Sequence, residues 1–170
     1  LDVGTGVGTW PFRIAREFPH LKIVGFDRCK SLIEEAKSLR DRYFHDLGDR
    51  VTFYVGDACD IKESDGRYGL AICLHDVLNH IPDYQKAIEE MARVSRHQIA
   101  SVHTLNGPVT FMNYKPEEVK EWGRQGDNIK FLLKDGRNYD AFFHLFDANE
   151  VRNSFGSIVD VMDMFGADVV

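Results

Sequence analysis

The sequence predicts an α/β fold: a doubly wound, mostly parallel sheet with helices on both faces. Three observations predict it. Short apolar runs alternate with helical patterns from Leu1 to about His103, as parallel strands require, because their connections must cross over. Three glycines, Gly4, Gly6 and Gly8, stand directly behind the stretch Leu1 to Val3, where a tight strand-to-helix turn belongs. A carboxylate then closes each of the next two apolar runs, Asp27 in "IVGFD" and Asp57 in "FYVGD".

Each element can be justified in order. Leu1 to Val3 is the end of a first strand. The helix behind the glycines has Thr9 as its candidate N-cap and Pro11 in its first turn, where a missing N–H is tolerated; Pro19 stops it. "LKIVGFD" is the second strand. "SLIE", Ser31 to Glu34, has the form of a capping box. Leu32, Ala36, Leu39, Tyr43 and Leu47, at spacings of three and four, give the helix behind it one apolar face, and Gly48 is its natural stop. "VTFYVGD" is the third strand and "YGLAICLHD" contains the fourth. Pro82 and Asp83 open a helix with Tyr84, Ala87, Ile88, Met91 and Ala92 on one side, and "HQIASVH" is the fifth strand. The sum is five strands and at least three helices in strict alternation.

The rhythm changes past His103. "NGPVTFMNYKPEEVKEWGRQGDN" reads as loop with one short helix from Pro116. "IKFLLKDGRNYDAFFHLF" reads as a β-hairpin, with Asp135–Gly136 a two-residue turn that needs positive φ at both positions. "DANE", Asp147 to Glu150, is a second capping signal, for a helix ending near Gly156, and "SIVDVMDMF" is a sixth strand. The expected organisation is a single domain, 1–170, in which 104–146 are an insertion after the fifth strand. A first parallel strand sits mid-sheet, so a chain that opens with only its last three residues is expected to be truncated, lacking natural residues upstream and downstream.

Composition narrows the partners. Lys plus Arg number 21 and Asp plus Glu 27, a net charge of −6, which argues against a broad nucleic-acid surface. No apolar run approaches the ~20 residues of a membrane span. The three cysteines, Cys29, Cys59 and Cys73, include no CxxC pair. They speak against a disulfide framework and a zinc knuckle and fit a reducing, cytoplasmic setting, with Cys73 as a small buried hydrophobe.

In open parallel sheets ligands sit beyond the carboxyl ends of the strands, where the strand order reverses. The residues there are informative. Glycines let a ligand approach bare backbone, and free amides at the next helix favour an anionic group. Asp27 is placed to accept two hydrogen bonds from a ribose diol, and Asp57 one from an exocyclic amine such as that of adenine. The pattern is GxGxG, with Thr9 where a dinucleotide fingerprint has its third glycine. Gly8 serves either ligand approach or helix–strand packing. Asp57 meets either an adenine or its own turn.

Taken together, "LDVGTGVG", "IVGFD", "FYVGDACDI" and "AICLHDVLNHIPD" resemble the successive motifs of the Rossmann-like (class I) S-adenosylmethionine-dependent methyltransferases. "FDANEVRNSFGSIVDVMDMFG" resembles that family's late helix and sixth strand. The resemblance implies S-adenosylmethionine as cofactor and S-adenosylhomocysteine as product. It implies that Asp2 and the backbone of Gly4, Thr5 and Gly6 hold the methionine part. Asp27 would bind the ribose, Arg28 would lie beside the adenine, and Asp57 and Ala58 would meet its amine and ring. Leu74 and His75 would line the pocket near the sulfonium. The family usually adds a helical segment before the first strand and closes with a sixth and seventh strand, and this chain shows neither the segment nor a seventh strand.

Methyl transfer from a sulfonium is an in-line displacement that asks mainly for alignment and a dry pocket. The expected reaction moves a methyl group to an O or N atom of a small molecule covered by residues 104 to 146. His75, His80 and His103 are the candidate catalytic groups, none assigned; His80 reads first as a structural hydrogen-bonder. The aromatic hairpin residues Phe131, Tyr139, Phe142, Phe143 and Phe146 read first as a packed cover. No metal is expected, since "HTLNG" lacks the acidic–Asn ligands of the catechol-type enzymes. "LHDVLNH" lacks the Pro-Pro-aromatic and Pro-Cys signatures of DNA-methylating relatives. The alternatives are a dinucleotide-dependent (NAD-type) oxidoreductase and a non-catalytic S-adenosylmethionine-binding partner subunit.

Overall fold

A computed structural model of the chain describes residues 1–104 and 118–155. They fall into two compact units, 1–77 with 85–101, and 78–84 with 102–104 and 118–155.

The first unit carries the expected sheet. β1 (Asp2–Val3), β2 (Ile23–Asp27), β3 (Val51–Val55), β4 (Tyr68–Cys73) and β5 (Ser95–Ala100) run in the order β3-β2-β1-β4-β5, and every pairing is parallel. The order reverses between β1 and β4. α1 (Thr9–Glu17) and α2 (Lys30–Tyr43) connect strands in one direction along the sheet, and α3 (Tyr84–Val94) connects them in the other. Right-handed crossovers that run opposite ways lie on opposite faces. α1 and α2 share one apolar cluster, in which Phe12, Ala15, Ile33 and Ala36 pack with Ile23, Val51 and Phe53 of the sheet.

Several local expectations are corrected. The N-cap of α1 is Gly8, not Thr9; it has φ 85° and no side-chain cap, so the glycine turn itself launches the helix. The capping box at Ser31 to Glu34 does not form. α2 starts two residues earlier, at Lys30 with Cys29 in place of Ser31 as N-cap, because Asp27 Oδ1 accepts the Cys29 N–H at 2.9 Å and turns the chain sooner. The buried face of α2 is Ile33 and Ala36, while Leu32 and Tyr43 are exposed. Leu47 is buried from a short 3-10 turn, His45–Arg50, that holds Gly48. On α3, Ala92 is exposed and Val94 buried.

Helix and strand do not alternate strictly either, since residues 56–67 join β3 to β4 without a helix. That connection is pinned from α3: Arg93 donates to the Ile61 and Glu63 carbonyls at 2.7 Å each, and Glu90 Oε2 accepts the Ile61 N–H at 2.9 Å. Its backbone groups thus find partners without helical bonding.

In the second unit, β6 (Val119–Gln125), β7 (Asn128–Leu133) and β8 (Asn138–Phe142) form an antiparallel sheet in chain order. The expected hairpin is β7–β8, but its turn is longer than two residues. Gly136 alone has positive φ, at 88°; Leu133 N–H donates to the Arg137 carbonyl, and Asp135 Oδ1 accepts the Arg137 N–H at 3.0 Å. Residues 119–125, expected as loop and helix, form a strand. β7 offers them an open edge, and Trp122 pairs there with Phe131, an aromatic cross-strand pair of the kind that stabilises sheets.

α4 (Ala148–Ser154) has the expected capping box. Asp147 Oδ1 accepts the Asn149 and Glu150 N–H groups at 2.8 and 2.9 Å, and Glu150 Oε2 accepts the Asp147 N–H at 3.3 Å. The strand expected in "SIVDVMDMF" and the residues from Pro116 to Glu117 lie outside the described residues. Among the described residues no helix is long and apolar enough to cross a membrane.

Candidate functional site

The glycine turn follows β1, and each glycine has a different reason. A Cβ on Gly4, at φ 71°, would stand 2.5 Å from both Val77 methyl groups, so the turn after β1 and the turn after β4 meet there backbone to side chain. A Cβ on Gly8 would stand 2.6 Å from the Phe53 ring, which makes Gly8 a packing glycine. Gly6, at φ 54°, has nothing within 4 Å of a Cβ position. Its backbone faces open space, as a close ligand approach requires.

Behind this turn lies Asp2, 2% exposed, with Oδ2 accepting the Thr5 hydroxyl at 2.6 Å. Burial pushes the Asp2 carboxyl up to about 6. The Thr5 bond opposes that rise, and the Asp27 charge adds to it.

Asp27 ends β2. Its Oδ2 accepts the Gly6 N–H at 3.0 Å and its Oδ1 the Cys29 N–H. One carboxylate therefore ties the glycine turn to the start of α2. Each oxygen keeps a second lone pair. Arg28 beside it is exposed. Asp57, beyond β3, is exposed and caps its own turn, with Oδ1 accepting the Cys59 N–H at 2.9 Å and its carbonyl the Asp60 N–H at 3.2 Å. Ala58 beside it is buried.

Beyond β4, Leu74 is half-buried and His75 exposed. His75 and Asp76 both adopt left-handed backbone, at φ 57° and 60°, a conformation that costs a non-glycine residue energy and concentrates at functional turns. The His75 N–H donates to Ser101 Oγ at 2.8 Å. The His75 ring lies 5.7 Å from that of Trp10, whose indole N–H is buried with no acceptor. Trp10, Val77 and Ser101 shape this end of the sheet, and sequence reasoning missed all three. An aromatic two residues past the last glycine of the turn was an available signal for Trp10, whereas Ser101 falls inside the expected fifth strand, which ends at Ala100.

His80 and His103 belong to the second unit. His80 Nδ1 lies 3.3 Å from the Phe142 carbonyl, and both rings lean on Phe143, at 4.8 and 5.8 Å. Between them Asn79, fully buried, donates to the His103 and His144 carbonyls and accepts the His103 N–H at 3.0 Å.

A glycine turn at a strand-order reversal, flanked by strand-end carboxylates, is a site of the Rossmann-like class. Residues 1–150 match the family described as "Methyltransferase domain", and the chain belongs to that family, with its class I fold. Among curated relatives, ajmaline N-methyltransferase of Rauvolfia serpentina is 27% identical over 144 residues, covering 82% of this chain and 48% of that protein. The chain thus spans about half the length of the curated relatives it matches. An S-adenosylmethionine-dependent methyltransferase of Clostridium acetobutylicum superposes with a TM-score of 0.68 at 17% identity, over 94% of this chain and 73% of its own, a likeness of fold. The magnesium protoporphyrin IX methyltransferase of Synechocystis, solved with bound SAH, has a TM-score of 0.53 at 25% identity, over 61% of this chain and 46% of its own.

Proposed function

We propose that this chain binds S-adenosylmethionine and transfers its methyl group to an oxygen or nitrogen atom of a small molecule. The observation that carries this reading is the alignment of Asp2 with its glycine turn, Asp27 and Asp57. Asp2 lies in β1 with the glycine turn behind it, Asp27 ends β2 and Asp57 lies beyond β3, three neighbouring strands in the order β3-β2-β1, beside the reversal point where such folds bind ligands. The donor's chemistry fits these groups. Open backbone at Gly6, free lone pairs on Asp27 and a buried carboxylate at Asp2 suit a ligand with a ribose diol and a cationic amino-acid end.

Bound S-adenosylmethionine supplies a methyl group on a sulfonium, a leaving group that is already activated. The chain's own residues have to hold and align. In this reading Asp2, Gly4, Thr5 and Gly6 hold the methionine part, Asp27 the ribose, Arg28, Asp57 and Ala58 the adenine, and Leu74 and His75 the sulfonium end. A neutral amine acceptor needs no base and a hydroxyl needs one; His75, His80 and His103 are the groups to test for that role. Residues 104–146 are assigned to acceptor choice. The N-methyltransferase relatives support a nitrogen acceptor and the small-molecule class.

Calorimetry tests the donor site: S-adenosylhomocysteine should bind and NAD should not. A labelled-donor assay tests the reaction. Methylation of small amines or phenols is expected; transfer to protein or nucleic acid and to no metabolite would sink the acceptor class. Tight donor binding with no turnover on a broad panel would point to a partner subunit.

A further inference from the structure

A cluster of ionisable groups in the second unit lies outside the site just described. At its centre is His144, whose side chain is 16% exposed. Its Nδ1 lies 3.0 Å from Asp127 Oδ2 and its Nε2 lies 2.9 Å from Glu150 Oε1. An ionised carboxylate only accepts hydrogen bonds. Two such contacts need two N–H donors, and of the ring's protonation states the imidazolium alone has both. The neutral ring satisfies one carboxylate and turns a lone pair toward the other.

The surroundings hold the ring in place. Tyr84 stacks on it with centroids 4.8 Å apart and donates its hydroxyl to Glu150 Oε1. Phe146 meets it edge-on at 4.7 Å. Arg124 lies 3.7 Å from Asp127 Oδ1, and the Asp147 N–H donates to the second Glu150 oxygen. The ionisable groups facing the ring are therefore Asp127 from the turn after β6, Glu150 from α4 and Tyr84 from the start of α3, with Arg124 behind Asp127.

We propose that His144 is a proton-operated clamp: its imidazolium ties the β6–β7 turn to α4, and loss of the proton releases one of the two ties. Burial lowers the ring's pKa, but the bonds to Asp127 and Glu150 outweigh it and hold the value above the ordinary 6.5. A folded-state pKa raised in this way gives stability that is complete below about 6.5 and is lost as pH rises through the folded value. The clamp stands whether or not the chain transfers methyl groups.

The test is an NMR titration of the full chain, with the His144 ring resonance assigned by its absence from His144→Gln. The expected midpoint lies above that of free histidine and moves down in Asp127→Asn. Protection of the α4 amides, corrected for intrinsic exchange rates, should fall as the ring loses its proton. If His144→Gln does not fold, the near-isosteric Asp127→Asn and Glu150→Gln identify the resonance by the shift each causes. A midpoint at or below that of free histidine, or α4 protection that ignores the midpoint, overturns the clamp.

Discussion

The two units treat their polar groups in opposite ways. In the first, strand ends leave them unfinished: Gly6 faces open space, Asp27 and Asp57 hold exposed lone pairs beside one bonded oxygen or two, and Trp10 buries an N–H without an acceptor. In the second they close on one another. Asn79 uses both ends of its amide on the His103 and His144 backbone, and His144 uses both ring nitrogens on carboxylates. Satisfied buried networks specify a shape, whereas groups left short of partners have room for a ligand. Damage to the first unit's turn should therefore appear in binding, and damage to the second unit's networks in stability.

The largest expected effect breaks the second unit. Asn79→Ala removes the partner of the His103 N–H and of the His144 carbonyl, while the His103 carbonyl keeps the Phe146 N–H, and should cost about 4 kcal/mol in chemical denaturation; a loss under about 1 kcal/mol would show that the network is not closed. Next comes a contrast inside the glycine turn. Gly8→Ala forces a methyl group into the Phe53 ring at positive φ and should cost about 3 kcal/mol of stability. Gly6→Ala carries only the backbone strain, about 1 kcal/mol, and its main effect should be weaker S-adenosylhomocysteine binding. Equal stability losses would undo the distinction between a packing glycine and a ligand-facing one.

Asp27→Ala should raise the Kd for S-adenosylhomocysteine roughly 10- to 100-fold, the worth of one or two charge-assisted hydrogen bonds. Unchanged affinity in calorimetry would remove Asp27 from the site. The smallest effect sharpens the role of Asp2. Its folded pKa of about 6 lies above the ordinary 3.8, so between those values the folded state binds more protons than the unfolded one. Stability from this group should fall as pH rises from about 4 to 6 and level off above. Thermal unfolding should show that slope in the parent chain and a flatter one in Asp2→Asn.

Much of the first unit was legible because it is written in short-range signals. Strand runs, glycines and strand-end acids are local, and a parallel sheet leaves few arrangements for them. Errors there were of boundary, as when the start of α2 moved two residues forward from Ser31 to Cys29, or of succession, since residues 56–67 join β3 to β4 without the helix that strict alternation needs. The second unit was less legible. Nothing in "EVKEWGRQ" alternates strongly, and β6 exists because β7 offers it an edge. His144 stood out by no spacing at all.

By itself, the sequence determined the α/β class, the succession of five strands, the glycine turn with Asp2, Asp27 and Asp57 on or just beyond successive strands, and the capping box of α4. Each depends on residue types a few positions apart, whose preferences act before any tertiary contact. Only the tertiary structure decided which glycine meets Phe53 and which meets open space, that Asp27 bonds the Gly6 backbone, that 119–125 is a strand, and that His144 sits between Asp127 and Glu150. Those outcomes depend on partners as far as 45 residues apart in the chain, the separation of Gly8 and Phe53. Packing and the need to pair buried polar groups choose among conformations that local preference leaves nearly equal in energy.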